Sequence, residues 1–420
     1  MQNRLALFAL IVFLTGCQMN LQAPRVTATA RVLESTLTTG SPDWSIYDPD
    51  PEHLWNRVFR QLYERRAANG EVYGAEELDP LLWFDTTYLL AGDSHQKALQ
   101  VLDDFLASDA ERLIQDPLKR AMFQRDLWAV FDWAASQAEP YPVEREALQF
   151  RLAEIIRQVA LPRNEILSLP DNYALAVASG AFPSAFQANH PETAFLPSGL
   201  FQPESAWMPM GRVGGPVAIT HTEAAPFFGR SAFLVLVRSP DGRNATLDFI
   251  HSLNTESNPV THTGTEVALV RQMLLIDNQG QLVASPLVET IQIRHFSPVR
   301  SFYEFELNRR HLFAGMAGGL VLKHDLFLLF MSHGDIFEAA ERPHLRAIIP
   351  DICKACHAAD FQISDSGNTK AIISYSREPF ALPDNGEPLL FPITSENESA
   401  TVIEWKRAHP TWKSLEGLWQ

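Results

Sequence analysis

Between residues 50 and 160 the apolar positions recur every three or four residues, the spacing of a helix with one buried face. Leu54, Trp55, Val58, Phe59, Leu62 and Tyr63 form the first stripe. A second helix is predicted from Glu76 to Leu90, with Gly92 as its C-cap. Ser94 then caps a helix with the stripe Ala98, Val101, Leu102, Phe105 and Leu106. Asp116-Pro117 reads as an N-cap followed by proline at the first helical position. The helix it opens carries Leu118, Met122, Leu127, Val130, Phe131 and Ala134. A fifth runs from Val143 to Ala160, with Leu148, Leu152, Ile155, Ile156 and Val159 inward and Pro162 as its stop. Short links between such helices suggest a bundle or stacked helical hairpins.

The pattern then changes twice. Across 166–225, Phe182-Pro183, His190-Pro191, Leu196-Pro197 and Gly214-Gly215-Pro216 mark an irregular connection. From 226 to 345 the period shortens to two. Ser231 to Arg238 and Ala245 to His251 flank the turn signal Asp241-Gly242 and read as a hairpin. Thr265 to Ile276 and Leu282 to His295 flank Asp277-Asn278-Gln279-Gly280 as a second hairpin. Ser301 to Leu307 and Val321 to Met331 add strands. Serial hairpins favour an antiparallel, sandwich-like domain. Residues 346–420 form a small last segment, closed by a helix near Thr401 to Leu418 that bears or adjoins Trp405, Trp412 and Trp419. The predicted fold class is α+β multidomain: a helical region at 46–165, a linker at 166–225, a β domain at 226–345, and the C-terminal segment.

A chain of 420 residues is long enough for two or three domains. Its formal net charge is −16, which disfavours nucleic acid and anionic lipid headgroups and favours basic partners. There are three cysteines, too few for a disulfide framework once their positions are considered.

Cys17 has a local explanation. Arg4 precedes an apolar run, Leu5 to Leu14, which is the length of a signal-peptide core and short of the roughly 20 residues that span a bilayer. Leu14-Thr15-Gly16-Cys17 resembles the lipobox of bacterial lipoproteins. That resemblance implies removal of residues 1–16, acylation of Cys17, and anchoring of the mature chain to a bacterial membrane. Removal takes away only Arg4, leaving a net charge of −17. Gln18 after the cysteine resembles an outer-membrane address. Residues 17–45, rich in Thr, Ala and Ser, read as a flexible tether. The implied location is the cell envelope, lipid-anchored on the periplasmic side.

The other two cysteines stand in Cys353-Lys354-Ala355-Cys356-His357. This C-x-x-C-H stretch resembles the attachment motif of c-type cytochromes. The resemblance implies one covalent haem c, with thioethers to Cys353 and Cys356 and with His357 as the proximal iron ligand. It covers five residues plus the export signal, which agrees with it because haem c is attached outside the cytoplasm. Ile348, Ile349, Ile352, Phe361, Ile363, Ile372 and Ile373 offer an apolar wall, or ordinary core. The chain departs from the usual pattern in one respect: 63 residues follow His357 and none is Met. Candidate distal ligands are His409 and Met331, with His333 and His344 behind them.

Competing uses of C-x-x-C fit less well. No strand–helix pattern of a thiol–disulfide oxidoreductase surrounds it, and no second ligand pair completes a zinc site. His221, His251 and His262, with Glu223 and Asp248, lack a recognised ligand spacing. Gly315 to Gly319 lacks the Lys-Ser/Thr of a phosphate loop. The functions implied are therefore single-electron transfer to basic redox proteins, a haem-containing oxidoreductase, or an envelope scaffold in which haem is secondary.

Overall fold

In the computed structural model the first stripe is helix α1 (Leu54–Tyr63), which buries Trp55, Val58, Phe59, Leu62 and Tyr63. The structure describes residues 43–66, 72–76, 78, 86–137, 141–224, 227–255, 262–296, 301–323 and 389–420. A two-stranded ribbon follows, β1 (Arg65–Arg66) and β2 (Val72–Tyr73). The described parts of 76–90 are bends and turns, not the predicted helix. Gly92, expected to end that helix, instead opens α2 (Gly92–Ala107) at φ +63.

Helix α3 (Pro117–Ser136) begins where Asp116-Pro117 places it. Asp116 Oδ1 accepts the Leu118 and Lys119 amides at 2.8 and 3.2 Å, satisfying two of the helix's orphan donors. Every residue from Ala121 to Ala134 is buried, so α3 is a central helix with no solvent face in that stretch. Helix α4 (Pro142–Gln158) lies along it with Leu148, Leu152, Ile155 and Ile156 inward. Two short helices follow, α5 (Arg163–Leu167) and α6 (Asn172–Ala178).

The remaining described elements are β3 (Met208–Arg212), α7 (Ile219–Glu223), β4 (Ser231–Arg238), α8 (Arg243–Thr255), β5 (Glu266–Ile276), β6 (Leu282–His295), β7 (Ser301–Leu307), α9 (Arg309–Phe313), β8 (Leu320–Leu322), β9 (Leu390–Pro392), α10 (Ser395–Ala408) and α11 (Pro410–Gly417). Strands β3 to β9 form a single antiparallel sheet in the order β8-β7-β6-β5-β4-β3-β9. The β5–β6 hairpin turns at the predicted place, where Asp277 Oδ1 accepts the amides of Gln279 and Gln281. The fold is mixed α+β.

The sandwich expectation is corrected for the described residues: among them helices, not a second sheet, pack on the sheet. Ala232, Leu234, Leu236, Ala268, Val270, Ile291, Ile293, Phe305 and Leu307 point to one face and share a core with α1 to α4 and α11. The regions predicted as separate helical and β domains meet in this core, and Pro42–Gln420 is one compact unit. Gln124 fastens the two layers. Its side chain donates to Ile276 O at 2.8 Å and accepts from Ile276 N at 2.9 Å, so the end of β5 finds a partner on α3. The opposite face holds a smaller core of Met208, Met210, Val237 and Val267 under Phe249, Ile250 and Leu253 of α8.

That helix corrects a second expectation. Residues 245–251, read as the return strand of a hairpin, lie in α8, and β4 pairs with β3 and β5. Thr246, Phe249, Ile250 and Leu253 are buried at intervals of three, one and three, which is helical spacing. The last 32 residues also belong to the body. Strand β9 pairs with β3, α10 packs on β4, and α11 packs on α3. The single closing helix predicted is two helices, broken at His409-Pro410.

Candidate functional site

Of the residues singled out in the sequence, Cys17, Met331, His333, His344, Cys353, Cys356 and His357 lie outside the described residues. His409 is described. Its ring stacks on Trp405, with centroids 5.0 Å apart at 29°, and faces Phe228 at 5.5 Å. Its Nδ1 lies 3.3 Å from the Thr411 amide, whose proton it accepts, and 3.0 Å from Thr411 Oγ1. His409 thus caps α11 as Pro410 takes the first helical position. Burial, helped by the Lys406 charge, pulls its pKa down to about 4, so the ring is neutral at pH 7. Accepting at Nδ1 puts the ring proton on Nε2. Binding a metal at Nε2 requires the other tautomer, with Nδ1–H donating to Thr411 Oγ1.

One turn earlier on α10, Lys406 is wholly buried. Its ammonium reaches Asp132 Oδ2 at 2.6 Å and Thr411 Oγ1 at 2.8 Å, and sits 5.2 Å from the Trp128 ring centre. Burial lowers its pKa to about 8, while Asp132 pulls the other way. Arg230 Nη1 approaches the same Asp132 oxygen at 3.3 Å. Asp132 Oδ1 and Trp128 Nε1 have no hydrogen-bond partner among the described residues.

Two more carboxylates continue this buried ionic line. Asp126, on α3, takes a two-point clasp from Arg309 of α9, at 2.9 and 2.5 Å, and the Tyr47 hydroxyl at 2.5 Å. Burial opposes the charge of Arg309, but Asp126 outweighs it and the guanidinium pKa rises. Burial and the Asp126 charge both drive the Tyr47 phenol up. Glu289 is the residue left over by the register shift between β5 and β6. It receives Arg125 Nε at 2.6 Å, Arg271 Nε at 2.7 Å, and the Ser231 hydroxyl. These pairs join α3 to α9, to the sheet and to α10. The sequence showed them only as charged residues, Arg125-Asp126 and Asp132, inside an otherwise apolar helix.

The sheet face opposite α3 carries a second polar group. Phe302, Glu304 and Glu306 of β7 lie across from Arg294, Gln292 and Thr290 of β6. Glu304 is 6% exposed, and burial pushes its pKa up to about 7, with Lys323 opposing. Its Oε2 has no hydrogen-bond partner among the described residues. Glu306 pairs with Lys323. His221, on α7, sits 5.5 Å from the Phe233 ring, and burial together with Arg294 lowers its pKa to about 4. At the β8 edge, Glu76, Glu306, Asn308, Val321, Leu322 and Lys323 line a cavity of about 280 Å³. His251 and His262 are exposed, and among the described residues no group of three His, Cys, Asp or Glu side chains is placed to hold a metal. Among the same residues no helix is long and apolar enough to cross a membrane.

Comparison with known proteins adds no relative: no protein-family model, no curated protein and no solved structure matches the chain.

Proposed function

We propose that the protein is a lipid-anchored, extracytoplasmic c-type cytochrome that carries one covalent haem and passes single electrons. One observation carries the proposal. Cys353-Lys354-Ala355-Cys356-His357 occurs in a chain whose only other cysteine, Cys17, ends an export signal. Haem c, when bound, supplies a one-electron couple between ferrous and ferric iron. Cys353 and Cys356 hold the porphyrin by thioethers, which keeps it on a protein exposed to the outside. His357 gives the iron its proximal nitrogen.

His409 or Met331 supplies the distal position. A histidine there gives a lower potential than a methionine. For His409 the neutral ring at pH 7 suits ligation, provided the proton moves from Nε2 to Nδ1. Acyl chains on Cys17 fix the protein to a bacterial membrane, and residues 17–42 tether the α+β body on the periplasmic side, with an outer-membrane address at Gln18; the tether expected to run to 45 stops short because Trp44 is buried in the main core. The haem segment within 346–420 is the finer unit of that body. A mature net charge of −17 draws basic redox proteins and repels nucleic acid.

The test is optical. Dithionite-reduced protein should show the α and Soret bands of haem c, and the colour should stay with the polypeptide through acid–acetone extraction. A colourless protein with two titratable thiols overturns the proposal.

A further inference from the structure

Four polar residues stand in one row across an end of the sheet. Arg238 ends β4, Glu266 opens β5, His295 ends β6 and Ser301 opens β7. Each lies directly opposite the next: Arg238 with Glu266, Glu266 with His295, His295 with Ser301. Opposed residues of an antiparallel pair share a face and bring their Cβ atoms to about 5 Å. Beyond the row that face is apolar, with Ala268, Val270, Ile293 and Phe305 in the main core. Glu266 is 1% exposed and Ser301 9%. Polar groups set into an apolar face cost free energy unless they are paired, and such breaks in the pattern concentrate at functional sites.

The row is ordered as an acid, a base and a hydroxyl. Arg238 Nη1 holds Glu266 Oε2 at 2.5 Å, and Glu266 Oε1 lies 3.1 Å from His295 Nδ1. A carboxylate only accepts, so Nδ1 carries the proton of the neutral ring and Nε2 keeps the lone pair. The ring lies flat on Phe186, with centroids 3.6 Å apart at 14°. Nε2 is turned away from β5, and the strand on its other side carries Ser301. Tyr303, two residues along the same face of β7, brings its hydroxyl beside that of Ser301. Both donate to one acceptor, the Pro191 carbonyl, Ser301 Oγ from 3.2 Å. Burial raises the Tyr303 pKa, so the phenol keeps the proton it donates. A carbonyl oxygen held by two hydroxyls beside an oriented imidazole marks where a substrate carbonyl fits. Pro191 fills that position here, and one χ1 rotation turns Ser301 from Pro191 to Nε2.

We infer that Glu266, His295, Ser301 and Tyr303 form an acyl-transfer site that hydrolyses carboxylic esters, with the segment around Phe186 and Pro191 as its cover. Ser301 Oγ attacks the ester carbonyl carbon as His295 Nε2 takes its proton. Tyr303 Oη donates to the carbonyl oxygen as negative charge develops on it. The bond to the leaving alcohol breaks, and His295 returns the proton to that oxygen. Water then attacks the acyl-serine in the same way and releases the acid. Glu266, fixed by Arg238, holds the imidazole in the working tautomer. Phe186 and Phe195, 6.1 Å apart, wall the position with aromatic carbon and favour an apolar acyl group. The site uses none of the residues assigned to haem.

The test is made on the full chain. A fluorophosphonate probe is added and the labelled residue is mapped by mass spectrometry, while release of p-nitrophenol from p-nitrophenyl butyrate is followed in parallel. Label on Ser301 is expected. Ser301→Ala should lose it, and ester hydrolysis should fall at least about a hundredfold while the far-UV circular dichroism stays native. His295→Gln should slow labelling of Ser301 by a similar factor. Glu266→Gln should lower kcat and leave KM, a split that a general loss of packing does not produce. Phe186→Ala, which uncovers the His295 ring, should speed labelling. Label on a different residue, no label in either the native chain or Phe186→Ala, labelling that His295→Gln leaves at the native rate, or hydrolysis that survives Ser301→Ala overturns the proposal.

Discussion

Replacing Asp132 by Asn tests the buried ionic line at its most enclosed point. Asp132 and Lys406 are both fully shielded, and their charged atoms are 2.6 Å apart. Lys406 holds its proton in the fold with a pKa of about 8, against 10.5 when unfolded. At about 1.4 kcal/mol per pKa unit, burial of this ammonium already costs roughly 3 kcal/mol below pH 8. Without Asp132 the opposing pull is gone and Arg230 still repels, so Lys406 gives up its proton at pH 7. The ceiling on that penalty is set by the distance from 10.5 to 7, about 5 kcal/mol, and the Arg230 charge also loses its partner. Removing one member of a buried pair typically costs about 3–5 kcal/mol, and the same loss is expected for Asp132→Asn at pH 7. The pH dependence follows from the sign of the shift. In the native protein the unfolded chain binds the extra proton between about pH 8 and 10.5, so the Lys406 contribution makes stability rise with pH there. In the variant the folded pKa is lower, the rise starts at lower pH, and the deficit shrinks by pH 9.5. Urea unfolding followed by far-UV circular dichroism at pH 7 and 9.5 reads both effects. Adding Lys406→Met should recover about 2 kcal/mol of the loss at pH 7, since no amine then has to give up its proton to fold. A loss under about 1 kcal/mol, or one identical at the two pH values, refutes the reasoning.

Two further outcomes follow from the structure. The raised pKa of Glu304, about 7 against 4.5, gives a contribution present below pH 4.5 and lost as pH rises through 7. Glu304→Gln should therefore flatten the fall in stability between pH 5 and 8 and unfold at higher urea than the native protein at pH 8; an unchanged profile counts against a buried, protonatable carboxyl there. Gly318 has φ +59, and a Cβ on it would lie 1.9 Å from the Asn172 carbonyl oxygen. Gly318→Ala should cost at least about 2 kcal/mol in the same assay, because both the backbone and the α6 contact resist it; a neutral result would mean the turn is not held against α6.

How much of this could be read from the residues differs by element. Asp116-Pro117 announced α3 because a cap is a local device, and the Asp277–Gly280 turn announced the β5–β6 hairpin for the same reason. Helix α8 was misread because 245–251 also fits an alternating pattern, and only the partner surface decides between periods. Here that surface is Met208, Met210 and Val237, brought together by strands far apart in the chain. Hairpin signals give neighbouring pairs but not whether the pairs join one sheet or two, so the sandwich expectation failed where α3 took the second layer. The candidate site divides the same way. C-x-x-C-H is legible because attachment chemistry fixes its spacing. Asp126, Asp132, Glu289 and Glu304 were invisible as a group because their partners lie up to 274 residues away, as with Asp132 and Lys406.

The central claim is a covalent bond, and the intact mass of the mature protein after acid–acetone extraction tests it most directly. The expected mass is that of the acylated polypeptide plus one haem, and the double substitution Cys353→Ser, Cys356→Ser should remove that increment, leaving the mass of the substituted acylated polypeptide. A native chain that weighs only its polypeptide and acyl groups contradicts the cytochrome proposal outright.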